Sequence, residues 1–413
     1  MANFTTDEQM KQMCEKSREL GFRPERMRML DERLAGWVGE ITPSVMVRVM
    51  RHGQLAFEGA YGTKGPDRGP DSLTDDTIFP ICSITKPVVG TLISIMQEEG
   101  LVDLNHPVRD HLPEFTGDEK GNVRIWHLLT HTSGIRLDLY GYFREYAANT
   151  LGLTLPDDDA PDGAWDEVYQ NVREKTGLPY MEPGKAANRN TFLTVALSAP
   201  PAHPAHTVMA YDSFGYDLVV EIIRRISGKT IDEYASEKLF KPLGMSDTHF
   251  IFPCEKLDRF VQRAPQYIAS DWLNGGVLNS EGGGGGLKST MYDLTRFGQM
   301  YLNKGKLDGV RVLSAASVRE ITSDHNSRIP PSVWDGVTYD STWGLGWNVK
   351  GIKKDDSGIL KSAGSFDHSG FGCCKLLCDP EADLVAAYFT VCMTDCHWNA
   401  SKFYNMVIGA IDD

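Results

Sequence analysis

The chain has 413 residues, 41% of them hydrophobic and 24% charged, which is the composition of a globular protein with enough apolar material for a large core. Its 42 basic and 56 acidic residues give a formal net charge of -14. This charge argues against a nucleic-acid partner, because such a partner requires a basic face that neutralises phosphates. No apolar run is long enough to cross a bilayer, and the N-terminus lacks the pattern of a secretory signal. We therefore expect a cytoplasmic protein without a membrane partner, whose eight cysteines remain thiols.

The first predicted elements are a helix and a hairpin. Residues 24–39 have helical spacing, and Pro24 suits the first turn of such a helix because its missing N–H is no loss there. Residues 44–50 and 54–58 read as two strands joined at His52-Gly53. The apolar side of the helix comprises Met27, Leu30, Leu34 and Trp37.

The middle and the end of the chain differ in pattern. A helix is predicted from Ser83 to Glu99, with Gly100 as its C-cap, and residues 88–330 are mostly helix and loop. Strand patterns return in residues 346–350, 367–377 and 384–391, and a last helix follows near residues 400–411.

This order of elements predicts an α/β fold in which both termini build one sheet flanked by helices, with an inserted, mostly helical lobe. We expect residues 1–413 to form a single unit. Its α/β lobe would comprise about residues 24–87 plus 331–413, and its helical lobe about residues 88–330. The active site would lie between the two lobes.

Ser83-Ile84-Thr85-Lys86 is the only Ser-x-x-Lys in the sequence. At the start of a helix this spacing puts Ser83 and Lys86 one turn apart on the same face. Free N–H groups and a partial positive charge at the helix N-terminus would stabilise an oxyanion and disfavour an ammonium on Lys86. Because a serine hydroxyl becomes a good nucleophile when a neighbour takes its proton, the pattern predicts a nucleophile and its base. The alternative is coincidence, since the pattern is short.

Around this motif the sequence resembles the serine β-lactamase and penicillin-binding-protein family, especially its class C-like branch with carboxylesterase and transacylase relatives. The resemblance covers about residues 25–410 and keeps the order of the family. It implies a β-lactamase-like fold with an antiparallel sheet, acyl-enzyme chemistry at Ser83 and no cofactor. Besides Ser83-Ile-Thr-Lys86, the segments that carry it are residues 100–115, 125–135, 283–300 and 343–347.

The second motif of that family, Tyr-x-Asn, is matched by Tyr211-Asp212-Ser213. The resemblance implies that Tyr211 shares the proton transfer with Lys86, and it places Ser213 among the substrate-binding residues. We interpret Tyr216 and Tyr180 as bystanders.

The third motif, Lys-Thr-Gly in β-lactamases, is matched by His368-Ser369-Gly370. The resemblance implies that this strand edge lines the cleft and binds substrate. The N–H groups of Phe371 and Ser83 would then form the oxyanion hole. A purely structural role for His368 remains the alternative. We add Trp347, from the segment Trp343-Gly-Leu-Gly-Trp347, to the predicted substrate-binding residues.

Two departures from the family pattern bear on the substrate. Ser213 replaces an asparagine, and His368 replaces a lysine that helps to hold the carboxylate of a β-lactam. We therefore expect a carboxylesterase-like hydrolase of a small ester or amide. The alternatives are an acyltransferase of a biosynthetic pathway that passes the acyl group of acyl-Ser83 to a second substrate, a β-lactamase or D-peptidase, and a non-catalytic ligand-binding homologue.

We predict no metal or cofactor site from the remaining motifs. His127 and His131 have the i, i+4 spacing of a zinc helix, but the glutamate of His-Glu-x-x-His is missing. Residues 282–286 form a glycine run that we interpret as a flexible turn near the cleft. A zinc site among the late cysteines is disfavoured because they contain no Cys-x-x-Cys pair. The late cysteines are Cys373, Cys374, Cys378, Cys392 and Cys396, and His397 follows the last of them.

Overall fold

A six-stranded antiparallel sheet combines strands from both ends of the chain, in the order β2-β1-β12-β11-β10-β9. Its strands are β1 (Ser44–Arg51), β2 (Gln54–Gly62), β9 (Asn348–Val349), β10 (Phe366–Gly370), β11 (Cys374–Asp379) and β12 (Leu384–Thr390). The computed structural model describes residues 6–40, 42–65, 72–157, 160, 163–178, 185–261, 278–334, 337–355, 357–391 and 396–412. Side chains of residues 185–189, 332–334, 337–339 and 396–397 lie outside this description. The prediction of one antiparallel sheet built from both termini is confirmed.

In the described parts of the chain, the other main elements are α-helices and three small strand pairs, beside short 3-10 and π-helical segments. The helices are α1 (Asp7–Ser17), α2 (Pro24–Trp37), α3 (Thr85–Glu98), α4 (Ile125–Leu129), α5 (Leu139–Glu145), α6 (Ala164–Thr176), α7 (Lys185–Ser198), α8 (Phe214–Ser227), α9 (Ile231–Ala235), α10 (Lys241–Leu243), α11 (Met291–Leu302), α12 (Ala315–Ile321) and α13 (Cys396–Ile408). The paired strands are β3 (Phe79–Pro80) with β4 (Lys288–Ser289), β5 (Lys306–Leu307) with β6 (Val310–Arg311), and β7 (Ser332–Trp334) with β8 (Val337–Tyr339).

The predicted N-terminal helix and hairpin are confirmed. The helix spans α2, and the hairpin pairs β1 with β2 in antiparallel register. His52 and Gly53 both have positive φ, +51° and +71°, which is the backbone of a two-residue turn whose twist matches that of the strands. Helix α1 was not predicted, although its start carries a sequence signal. The side chain of Thr6 accepts from the N–H of Gln9, and the side chain of Gln9 accepts from the N–H of Thr6.

The two faces of the sheet pack against different helices. Side chains along β12 pack alternately on the two faces of the sheet, because successive side chains of a strand point to opposite faces. Tyr388 belongs to one face, together with α2 and α13, and Phe389 to the other, together with α3 and α11. All four residues predicted for the apolar side of α2 are buried on the first face, namely Met27, Leu30, Leu34 and Trp37.

Helix α11 contacts the six-stranded sheet. It packs on β1, β11 and β12, although it belongs to the predicted helical lobe of residues 88–330. The close approach occurs at Gly298, where an added Cβ would lie 2.7 Å from a methyl group of Val385.

Two further expectations are corrected. The stretch 367–377, predicted as one strand, forms β10 and β11 with a turn at residues 371–373 in which Gly372 and Cys373 have positive φ. Cys373 is disulfide-bonded, which contradicts the expectation that every cysteine is a thiol. Among the described residues, no helix has the length and apolar character to span a membrane.

Candidate active site

Ser83 sits in a tight turn that leads directly into α3. The turn is a 3-10 segment, Cys82–Ile84, and Cys82 adopts a left-handed backbone with φ +46°. Such a conformation is strained for a residue with a side chain and is common at functional sites. Thr85 holds the turn, because its hydroxyl donates to the carbonyl of Cys82 (2.6 Å) and accepts from the N–H of Leu287 (3.0 Å). Ser83 is thereby partly exposed at a fixed turn.

Lys86 is fully buried, and its ammonium nitrogen lies among three oxygen atoms. Nζ is 3.2 Å from the hydroxyl of Ser83, 3.2 Å from the hydroxyl of Ser213 and 2.7 Å from the carbonyl oxygen of Gly284. Within the described ranges no carboxylate forms an ion pair with it. The predicted spacing of one helical turn therefore does bring Lys86 to Ser83, and the second motif reaches the same lysine from residue 213.

The glycine run of residues 282–286 packs tightly against the second motif. An added Cβ on Gly283 would lie 2.3 Å from the carbonyl oxygen of Tyr216, and one on Gly284 would lie 2.3 Å from Cβ of Ser213. These distances exclude any side chain at the two positions. The predicted location near the cleft agrees with the structure, but close approach of the backbone, not flexibility, explains why these residues are glycines.

Tyr211 borders Lys86 with its ring. The centroid of this ring is 4.8 Å from Nζ of Lys86, within the range of a cation–π contact. The ring of Tyr216 is 5.5 Å away, but the hydroxyl of Tyr216 donates to the carbonyl of Leu129 (2.5 Å), and burial holds the pKa of Tyr216 well above its usual value. Tyr216 is thus engaged in the core, consistent with its reading as a bystander. Tyr180 lies outside the described residues.

The third motif forms the end of β10 and reaches the turn that carries Ser83. Strand β9 pairs only with Phe366 and Asp367, so residues 368–370 lie beyond its end. An added Cβ on Gly370 would lie 2.1 Å from the carbonyl oxygen of Ile81, two residues before Ser83. Phe371 follows with its side chain 47% exposed. The absence of a side chain at Gly370 therefore permits the close contact between the end of β10 and the turn that carries Ser83.

Strand β10 is anchored by a buried ion pair one residue before His368. Asp367 accepts from the ammonium of Lys361, from the side-chain amide of Asn348 (3.0 Å) and from the hydroxyl of Ser357 (2.9 Å). Burial by itself would raise the pKa of Asp367, but Lys361 and these hydrogen bonds lower it below its usual range. The network fixes the strand from which the third motif projects.

His368 is buried and neutral. Burial, and next the charge of Lys86, hold the pKa of His368 well below its usual value. Its Nδ1 lies 2.9 Å from the carbonyl oxygen of Ser369, so Nδ1 carries the proton and donates. Nε2 is buried without a hydrogen-bond partner in the described structure, and the imidazole ring lies 6.3 Å from the ring of Tyr211.

Comparisons with known proteins agree with this geometry. Residues 35–395 match the family model described as Beta-lactamase, which is most of the chain. The chain belongs to the β-lactamase family. Members of this family are serine hydrolases and acyltransferases.

Individual relatives of this β-lactamase-family chain are distant. An uncharacterized protein of Mycobacterium tuberculosis is 27% identical over 279 residues, which cover 60% of this chain and 60% of the relative's own length. Esterase EstB of Burkholderia gladioli is 27% identical over 207 residues, covering 49% of this chain and 46% of EstB. The structure of a penicillin-binding-protein homologue from Caulobacter crescentus superimposes with a TM-score of 0.70 at 18% identity, covering 94% of this chain and 98% of the other. The β-lactamase-like fold predicted from the sequence is thereby confirmed.

Trp347, which the sequence analysis of this family member predicts to bind substrate, lies in the core. Its side chain is fully buried and stacks on Phe297, with ring centroids 5.9 Å apart. Trp343, at the other end of the same segment, borders the site instead, with its ring 5.6 Å from His368 and 5.8 Å from Tyr211. Burial disfavours the predicted contact of Trp347 with substrate, because both tryptophans share one segment and only packing decides which of them is buried in the core.

Sequence reasoning also missed contributors to the site. The carbonyl of Gly284 has no side-chain signal at all. His131 was considered only as a metal ligand, yet its ring lies 4.4 Å from that of Tyr211. Among the described residues, no three His, Cys, Asp or Glu side chains form a group that could hold a metal ion. Cys392 and the side chains of Cys396 and His397 lie outside the described residues.

Proposed function

We propose that this protein is a serine-dependent hydrolase that acts on a small ester or amide through an acyl-enzyme on Ser83. The observation that carries the proposal is the position of Lys86 Nζ, 3.2 Å from the hydroxyls of both Ser83 and Ser213. The contacts of Nζ with the carbonyl of Gly284 and the hydroxyl of Ser213 hold it within reach of the hydroxyl proton of Ser83. That is the arrangement a base needs to activate a serine.

In the acylation step, Ser83 Oγ attacks the carbonyl carbon of the substrate while its proton passes to Lys86. The backbone N–H groups of Ser83 and Phe371 donate to the developing oxyanion, which is most effective when the donors are fixed in advance. Tyr211 relays the proton to the leaving alcohol or amine as the bond to it breaks. Water then attacks the acyl-Ser83 ester, and the same groups return its proton to Ser83.

The residues of the third motif favour a substrate that has no carboxylate group for the enzyme to bind. His368 stands where β-lactamases have a lysine, and its neutral imidazole supplies no positive charge. Ser213, at the position of the asparagine, is exposed to the cleft and offers a short hydroxyl. The name of the relative EstB, an esterase, points in the same direction.

Intact-mass analysis with a slowly hydrolysed activated ester tests the proposal. The wild type should gain the mass of one acyl group and lose it on standing, whereas Ser83→Ala should gain none. Ser133→Ala serves as a matched control, because Ser133 is a buried serine that the mechanism does not use. A wild type without an adduct, or a Ser83→Ala variant with one, would contradict the assignment. If an added alcohol accelerated loss of the adduct and appeared in the product, acyl transfer would replace hydrolysis as the proposed reaction.

A further inference from the structure

His131 is a buried residue that touches the chain on both sides of Tyr211. Its carbonyl oxygen accepts from the N–H of Ala210 at 2.9 Å, and its Nδ1 accepts from the N–H of Asp212 at 3.1 Å. Its ring lies against the ring of Tyr211, with centroids 4.4 Å apart and planes inclined by 37°. The backbone before and after Tyr211 and the face of its ring therefore all contact one residue.

The segment held by His131 continues directly into α8. Asp212 accepts from the N–H of Gly215 with the carboxylate oxygen Oδ1, which satisfies a free N–H in the first turn of that helix. Ser213 lies between these two contacts and reaches Lys86 with its hydroxyl. A rigid connection thus runs from His131 through Asp212 to the start of α8.

Two properties of His131 are unusual for a packing residue. Its φ is +58°, a left-handed conformation that is uncommon for any residue other than glycine. Burial lowers its pKa, the carboxylate of Asp212, whose Oδ2 lies 3.5 Å from Nδ1, acts in the opposite direction, and the charge of Lys86 lowers the pKa further. A lowered pKa favours the unprotonated Nδ1 that can accept from the N–H of Asp212.

We propose that His131 is a positioning residue for acylation, which fixes the hydroxyl of Tyr211 relative to Lys86 and Ser83 by holding both the ring and the adjoining backbone. The inference rests on the proposed role of Tyr211 in proton transfer. His131 acts through Tyr211 and touches no reacting atom. A displacement of Tyr211 by about 1 Å would be enough to lower the rate about 100-fold.

A matched pair of histidine variants tests this role. His131→Asn keeps an acceptor near the position of Nδ1 and tolerates positive φ, but it removes the ring that packs on Tyr211. His127→Asn is the control, because Nδ1 of His127 also accepts from a backbone N–H, that of Arg124 at 2.9 Å, and His127 is similarly buried. We expect His131→Asn to lower kcat for an activated ester by about 10-fold to 100-fold with little change in KM. We expect His127→Asn to have near-normal kcat.

A double-mutant cycle with Tyr211→Phe separates positioning from general damage to the fold. If His131 acts through the hydroxyl of Tyr211, then adding His131→Asn to Tyr211→Phe should cost much less than it costs in the wild type. An equal loss in both backgrounds, or an activity of His131→Asn equal to that of His127→Asn, would overturn the inference and leave the role of Tyr211 intact. A Tyr211→Phe variant with near-normal kcat would overturn the proposed role of Tyr211 and the inference with it.

Discussion

The side-chain nitrogen of Lys86 lies 2.7 Å from the carbonyl oxygen of Gly284, a residue 198 positions further along the chain. This contact fixes the end of a flexible side chain at the point where it can also reach Ser83 and Ser213. A lysine needs such an acceptor when it is buried, because an unsatisfied N–H in the interior costs free energy. The glycine run therefore helps to position Lys86 through its backbone.

Lys86→Arg is expected to lower the acylation rate strongly. A guanidinium keeps the positive charge but cannot accept a proton from Ser83, since it stays protonated in proteins. Loss of positioned proton transfer lowers rates by about 10²-fold to 10⁴-fold, and Lys86→Met should lose at least as much. Stopped-flow measurement of the acyl-enzyme burst gives the rate. Near-normal acylation by Lys86→Arg would show that Tyr211, or the substrate itself, takes the proton.

Gly284→Ala is expected to lower activity and stability together. Its Cβ would overlap Cβ of Ser213, so the glycine run or the second motif must move, and the contact of Lys86 with the carbonyl of residue 284 is lost. We expect a destabilisation of about 1–3 kcal/mol, typical of overpacking. Gly36→Ala is the matched control, because Gly36 lies in α2 with nothing within 4 Å of an added Cβ. Urea denaturation and ester hydrolysis should show a loss only for Gly284→Ala.

Short-chain activated esters should be better substrates than a chromogenic cephalosporin. The comparison uses kcat/KM, which reports stabilisation of the transition state. Neutral His368 and the short side chain of Ser213 leave the carboxylate of the cephalosporin without the partners that β-lactamases provide. A higher kcat/KM for the cephalosporin would replace the esterase proposal with a β-lactamase.

Trp347 and Trp343 should respond differently to substitution. Trp347→Ala removes a fully buried side chain and should lower the free energy of unfolding by about 3–5 kcal/mol, with KM of the folded fraction unchanged. Trp343→Phe changes the surface next to Tyr211 and His368, so kcat or KM should change with a smaller loss of stability. A changed KM in Trp347→Ala would restore Trp347 to the substrate-binding residues.

Stability should decrease as the pH falls from about 6.5 to about 4, in part because of His127. Burial, together with His206 and Arg124, lowers the pKa of His127 to about 4. Below pH 6.5 the unfolded chain binds a proton at this histidine while the folded protein does not, so acid favours unfolding. The full difference in pKa corresponds to about 3 kcal/mol, present above pH 6.5 and lost near pH 4.

The variant His127→Asn checks this pH dependence, because asparagine does not titrate. Urea denaturation at pH 7, 6 and 5 should give a shallower decrease of the unfolding free energy for His127→Asn than for the wild type. An identical decrease in the two proteins would show that other groups account for the loss of stability in acid.

Local signals in the sequence were sufficient for several parts of the structure. The spacing of apolar residues in α2, the turn at His52-Gly53 and the strands at both ends depend on interactions between near neighbours or on burial of one face, and such patterns are visible in a single chain. The spacing Ser83-x-x-Lys86 is also a local signal, because one helical turn fixes the distance between the two side chains.

Other features were decided by tertiary structure alone. The acceptor for Lys86 at Gly284 is a backbone carbonyl, which has no sequence signature, and it depends on a contact across 198 residues. Which tryptophan of the 343–347 segment faces the cleft depends on how that segment packs on α3, where an added Cβ on Gly90 would lie 2.3 Å from the carbonyl oxygen of Leu345. The contact of His131 with Tyr211 likewise joins distant parts of the chain. The spacing of apolar residues indicates which face of a helix or strand is buried. Contacts between helices and strands are determined only when the whole core packs.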